Sequence, residues 1–234
     1  MKTPKSFAAV LSKIRLPSVF NPYLECCPVH DRLDAARVRR RNLVHCLEAA
    51  LALRVDTIWI ARDLGYRGGR RTGVPLTDEI HLGQAGVLLG GITLDRATRG
   101  PVVAERTAAI VWDILSRIDE PTVLWNIFPL HPYEADHPFS NRRHTRAERD
   151  ATWPLLTALI AMIRPRRIVA IGQDSGAALA SIDIPVRVVR HPSYGGQAEF
   201  IAGVRQIYGI ESPARGETLE LPLSCGHAAE GMQT

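Results

Sequence analysis

The sequence predicts an α/β domain with a four-stranded, mostly parallel sheet covered by helices on both faces. Three observations carry that prediction. Four short runs are rich in Val and Ile, segments with helical period lie between them, and each run ends in a polar, glycine- or proline-containing segment. At 234 residues, with 46% hydrophobic and 23% charged residues, the chain is long and apolar enough for one substantial core.

The strand candidates are residues 56–61 (DTIWIA), 122–126 (TVLWN), 167–172 (RIVAIG) and 185–190 (PVRVVR). The first helical segment, 34–53, lines up Leu43, Val44, Leu47 and Leu51 on one face. The second, 102–118, does the same with Val103, Ile110, Ile114 and Ile118. Segments 149–163, 173–180 and 197–206 complete the alternation that favours a parallel sheet buried on both sides. Residues 65–100 are glycine-rich with little period, which predicts a long functional loop region. The domain is expected to span 1–210. Residues 211–234, rich in Gly, Pro, Glu and small residues, read as a mobile tail.

Composition narrows the function classes. The net charge is +5 and the pI about 9.3, and only three of the 29 basic residues are lysine (Lys2, Lys5, Lys13). Arginine offers a planar fork of donors matched to phosphate, so a polyanionic partner is favoured. No apolar stretch approaches the ~20 residues of a membrane span, and the N-terminus lacks the order of a secretory signal. A cytoplasmic monomer is the expectation. Cys26, Cys27, Cys46 and Cys225 show no metal-ligand spacing, so neither metal nor cofactor is expected.

The chemistry should sit where the strands end, because open parallel sheets bind ligands outside the carboxyl ends of their strands. After the first run come Arg62, Asp63, Leu64, Gly65 and Tyr66. The second ends in Asn126 and continues through Ile127 and Phe128. Gly172, Gln173, Asp174 and Ser175 follow the third, and His191, Pro192, Ser193, Tyr194 and Gly195 follow the fourth. A carboxylate, an amide, a small-residue loop and an imidazole would thus converge on one cleft.

That order resembles the classical uracil-DNA glycosylases of the uracil-DNA glycosylase superfamily, over about residues 56–204. Leu124-Trp125-Asn126 is similar to the strand-ending motif that carries the family's uracil-reading Asn, and His191-Pro192-Ser193 reproduces its His-Pro-Ser run. Of the family's first motif only Asp63 survives. The resemblance implies excision of uracil from single- or double-stranded DNA, leaving an abasic site. It gives Asp63 the role of polarising the attacking water and His191 that of a neutral donor to the departing base. Asn126 would read uracil, with Arg62, Tyr66, Leu76 and Phe128 around it. Gln173 and Ser175 are candidate phosphate contacts, with Ser193, Tyr194, Gly195, Arg142 and Arg143 as further DNA contacts. Asp174 is set aside as a fortuitous copy of the family's first triplet.

Three departures stand out. Gly65 occupies the place of the family's thymine-excluding Tyr, with Tyr66 one residue on. Leu76 stands nearest the family's stacking Phe, unless Phe128 substitutes. Gly195 replaces the intercalating Leu, leaving Tyr194 as the candidate wedge. The competing readings are a glycosylase for another deaminated or mismatched base, a catalytically silent damaged-DNA-binding module, and a nucleoside hydrolase.

Overall fold

The computed structural model describes residues 1–211. In chain order its elements are α1 (Pro4–Leu11), β1 (Val19–Phe20), α2 (Ala35–Ala52), β2 (Thr57–Asp63), α3 (Gly69–Thr72), α4 (Leu82–Leu88) and α5 (Arg106–Leu115). They continue with β3 (Val123–Phe128), β4 (His131–Pro132), α6 (Arg146–Ile163), β5 (Arg167–Ile171), α7 (Gln173–Ala178), β6 (Val186–Val189) and α8 (Gln197–Tyr208). The expected tail lies outside the described residues apart from Glu211.

The chain forms the α/β domain its pattern predicts. Four strands pair in the order β3-β2-β5-β6, and every pairing is parallel. Alternation along β2 shows why both faces need cover. Ile58 and Ile60 point into a core built with Phe7, Leu43, Leu47, Leu155 and Leu159 from α1, α2 and α6. Trp59 and Ala61 point the other way, toward Val111, Trp112, Phe200 and Val204 from α5 and α8. Trp59 is fully buried, and its Nε1 donates to the Tyr208 hydroxyl at 2.8 Å, which satisfies the indole inside this core.

Several boundaries move, each for a local reason. β2 and β3 run two residues further than their apolar patterns, to Asp63 and Phe128, because the ladder continues with Asp63 opposite Phe128. α6 begins at Arg146, three residues before the expected start. Thr145 caps it, accepting from the Glu148 amide while the Glu148 side chain accepts from the Thr145 amide. The 65–100 segment is not loop throughout, since α3 and α4 lie inside it. β1 and β4, two residues each, pair antiparallel and tie residues 19–20 to the loop after β3. No helix among the described residues is long and apolar enough to cross a membrane.

Candidate active site

The strand order puts the topological switch of the sheet between β2 and β5, the place outside whose carboxyl ends open α/β sheets bind ligands. Arg62 bridges it. Its Nε donates to Asp63 Oδ2 at 2.6 Å and its Nη1 to Asp174 Oδ2 at 2.8 Å. Arg143 reaches Asp174 Oδ1 from the far side at 2.9 Å, and His144 Nδ1 is hydrogen-bonded to Asp63 Oδ1. The result is an alternating row, His144–Asp63–Arg62–Asp174–Arg143, laid across the switch point. Hydrogen bonding from Arg62, helped by the charge of Arg143, holds the Asp174 carboxyl below the usual carboxylate range.

Asn126 sits one strand over, in β3 opposite Ala61, and is 1% exposed. Its Nδ2 donates to the Asp63 carbonyl at 3.0 Å, which fixes the amide's orientation. Its Oδ1 is buried and has no partner among the described residues. A buried acceptor left unpaired costs about 1–3 kcal/mol, so this oxygen is poised for a donor from outside the chain.

His191 follows β6 and packs on Gly172, whose φ of +91° turns the chain from β5 into α7. A Cβ at position 172 would lie 3.4 Å from the His191 Cβ, so the glycine also sets how near the two loops approach. The Ser193 amide donates to His191 Nδ1 at 3.1 Å, and the Ser193 hydroxyl lies 2.7 Å from the same atom. An Nδ1 that accepts leaves the proton on Nε2. Burial, then the positive charges of Arg62 and Arg190, lowers this imidazole's pKa to about 4, so at neutral pH it is a neutral Nε2–H donor.

The loop after β3 is built to deliver residues 141–144 to this edge. His131 is buried, and burial followed by the charge of Arg70 lowers its pKa to about 4. Its Nε2 donates to the Ser140 carbonyl at 2.8 Å, and Asn141 Oδ1 accepts from the Tyr66 amide at 3.0 Å. Arg142 is engaged inward, on both Glu148 oxygens at 2.6 and 2.8 Å and on the Ser18 and Tyr133 carbonyls. Its neighbour Arg143 keeps a side chain that is 67% exposed.

The remaining residues named from sequence divide between rim and interior. Tyr194 is 98% exposed with φ of +51°, and Gly195 follows at +78°, so both stand on an outward turn. Gln173 is exposed at the start of α7. Ser175 is fully buried with an unpartnered Oγ, below the surface that a phosphate would touch. Phe128 is fully buried with its ring 5.5 Å from that of His144, and Leu76 packs in the core beside Trp112. Neither presents an open face.

Sequence reasoning missed three groups. His144 suggests from sequence no more than phosphate contact beside Arg142 and Arg143, although the Thr145-x-x-Glu148 capping box marks it as the residue leading into a helix. Asp174, set aside as fortuitous, pairs with two of the site's arginines. Glu105 explains the glycine at position 65. Its carboxyl packs against Gly65 and Gly68, and a Cβ at either position would collide with a carboxyl oxygen. Burial, and then the charge of Asp78, pushes Glu105 up to about 7. Among the described residues no group of three or more His, Cys, Asp and Glu side chains could hold a metal ion.

No protein-family model matches the sequence, and no curated protein does. A solved structure does match the fold: the wild-type SMUG2 of Pedobacter heparinus is similar over 89% of this chain and 98% of that chain, with a TM-score of 0.59 at 12% identity. The doubly wound fold and its four-stranded parallel sheet are therefore shared with a known structure, while only one residue in eight or so is the same.

Proposed function

We propose that this protein is a DNA glycosylase that hydrolyses the N-glycosidic bond of deoxyuridine in DNA, releasing uracil and leaving an abasic site. The observation that carries the reading is one arrangement at one sheet edge. A neutral imidazole with its proton on Nε2, an amide with an unpaired buried oxygen, and a carboxylate stand toward the carboxyl ends of β6, β3 and β2 of one parallel sheet. The fold likeness to the Pedobacter SMUG2 structure is in keeping with it.

Breaking the bond places positive charge on the sugar and negative charge on the base. The Asp63 carboxylate supplies a fixed negative charge for the oxocarbenium-like sugar. The Nε2–H of His191 faces charge building on uracil O2, and because the donor is set in advance it costs no reorganisation. Asn126 keeps one amide hydrogen on the Asp63 carbonyl. Its Oδ1 accepts from uracil N3–H and its second amide hydrogen serves O4. Cytosine offers an acceptor at N3 and a donor at C4, the reverse at both atoms. The base must leave the stack to reach this depth. Arg143, Gln173 and the Ser193–Gly195 turn line the approach for the DNA backbone, with Tyr194 as the wedge.

The test is incubation with oligonucleotides carrying U, T, C or hypoxanthine at one position, single- and double-stranded, followed by hot alkali. Cleavage at U is the expected result. Cleavage only at another base would move the substrate within the same reaction, and no cleavage at any base would overturn the reading.

A further inference from the structure

Asp63 has both carboxylate oxygens engaged within the protein, Oδ2 by Arg62 at 2.6 Å and Oδ1 by His144. A carboxylate held this way is a good source of fixed charge and a poor proton acceptor. The atom in the row with free acceptor capacity is on its neighbour. His144 Nδ1 faces a carboxylate, which can only accept, so Nδ1 carries the proton and Nε2 holds a lone pair. That Nε2 has no hydrogen-bond partner among the described residues, nor is it one of their buried unsatisfied atoms. The ring is otherwise confined: the side chain is 11% exposed, with Phe128 tilted 35° against it at 5.5 Å.

We infer that His144 is the general base of the proposed reaction, taking a proton from the attacking water at Nε2 while Asp63 orients and charges the ring. The inference rests on the glycosylase reading. In the step it describes, the water oxygen bonds to C1′ of the deoxyribose and the water proton passes to His144 Nε2. The C1′–N1 bond breaks with its electron pair passing to the base, and the uracil anion, stabilised by His191, later takes a proton from solvent or from His144. An Asp–His pair suits this work because the carboxylate fixes the tautomer and stabilises the imidazolium that forms.

The charged and titratable groups around the ring are Asp63 and Arg62 from β2, Asp174 from α7, and Arg143 and Arg142 on its own loop, with His131 beyond Asp63. Glu105, which packs on Gly65 and Gly68 and is pushed up to about 7, changes charge near neutrality, so it must be controlled for. His191 and His131, both at about 4, stay neutral through that range.

The experiment is single-turnover base release from a uracil oligonucleotide as a function of pH, with Kd for the same DNA measured alongside. Wild-type protein should show a rate that climbs with pH to a plateau, and Glu105→Gln should keep that limb. His144→Gln should lose the limb and fall about 100-fold or more at the plateau, within the usual contribution of a general base, with Kd unchanged. His144→Gly should regain rate with added imidazole. A flat wild-type profile overturns the inference even if the variants fail to fold. So does a His144→Gln protein that keeps the limb, or a His144→Gly protein that imidazole does not help. Those results leave uracil excision standing. Wild-type protein that releases no base overturns the parent reading as well.

Discussion

At the amino end of the sheet Arg166 faces Asp56 across 3.7 Å with side chains 87% and 49% exposed, beside a cleft of about 500 Å³ that Arg54, Glu120 and Arg167 also line. The carboxyl end uses the same residue types. There Arg62 meets Asp63 at 2.6 Å, Asp63 is 9% exposed, and an amide oxygen, a serine hydroxyl and an imidazole lie buried nearby. Open pairs in water are screened and contribute about 0–1 kcal/mol each. Pairs withdrawn from water keep their charges in place and act on whatever enters. Arginine and aspartate alone therefore do not mark the site. A withdrawn Asp63 beside the unpartnered oxygens of Asn126 and Ser175 distinguishes this end.

The sharpest break of that comparison is a pair of matched substitutions. Asp63→Asn should lower single-turnover excision by about 1,000-fold while leaving DNA binding in place, since it removes the fixed negative charge and replaces one of the two oxygens that accept from Arg62 and His144 with a donor. Asp56→Asn at the opposite end should change the rate less than twofold. Equal effects at the two ends would dissolve the distinction.

Next in size is His191→Ala, expected to cost about 10²–10³ in rate, as for an oxyanion-type donor, with uracil still preferred over cytosine. Asn126→Asp should act on choice of base: uracil excision falls, and slow release of cytosine appears because a carboxylate accepts from the exocyclic amine. Single-turnover rates on U, T, C and hypoxanthine oligonucleotides separate the two. Intact uracil excision by Asn126→Asp would make the amide a strand-end cap. If His191→Ala were the variant that changed base preference, the two roles would be exchanged.

Acid should weaken the fold through the same buried groups. His131 and His191 have pKa values lowered to about 4, below the unperturbed 6.5, so between those values the unfolded chain binds more protons than the native one. Stability is then complete above about pH 6.5 and falls as pH drops toward 4, by on the order of 3 kcal/mol at most for each histidine. Thermal melting from pH 7.5 to 4.5 checks this, and His191→Gln should flatten part of the slope. A Tm that rises on acidification would contradict it.

The smallest effect concerns the rim. Asp174 holds Arg62 and Arg143 where a phosphate would otherwise engage them, so Asp174→Asn should tighten DNA binding a few-fold. Arg143→Ala should weaken it and reduce the salt slope by about one. Kd measured across salt concentrations reads both, and no change in either variant would remove Arg143 from the interface.

What could be read from sequence follows from which forces are local. The strands were legible as short Val- and Ile-rich runs, which burial on both faces demands of the central β2 and β5, and the residues ending them could be placed at one edge by topology. β1 and β4 were not, since two residues carry no period. α1 was passed over although Thr3 and Ser6 form a capping box and Pro4 stands at its first position. Arg142 and Arg143 look equivalent in sequence and have opposite fates, because the α6 cap places Glu148 beside one of them and leaves the other outside. His144 lies 81 residues from Asp63, a pairing that only the assembled sheet creates.

The central claim is that the buried cluster at the carboxyl ends of the strands breaks the deoxyuridine glycosidic bond with the chain's own side chains. Its most direct test counts free uracil and abasic sites after a single turnover in EDTA, with wild-type protein and with Asp63→Asn. The account predicts one uracil for each abasic site from the wild type, none from thymine or cytosine controls, and almost none from the variant. Release that vanishes in EDTA and returns with a divalent ion, or equal release by both proteins, would contradict it.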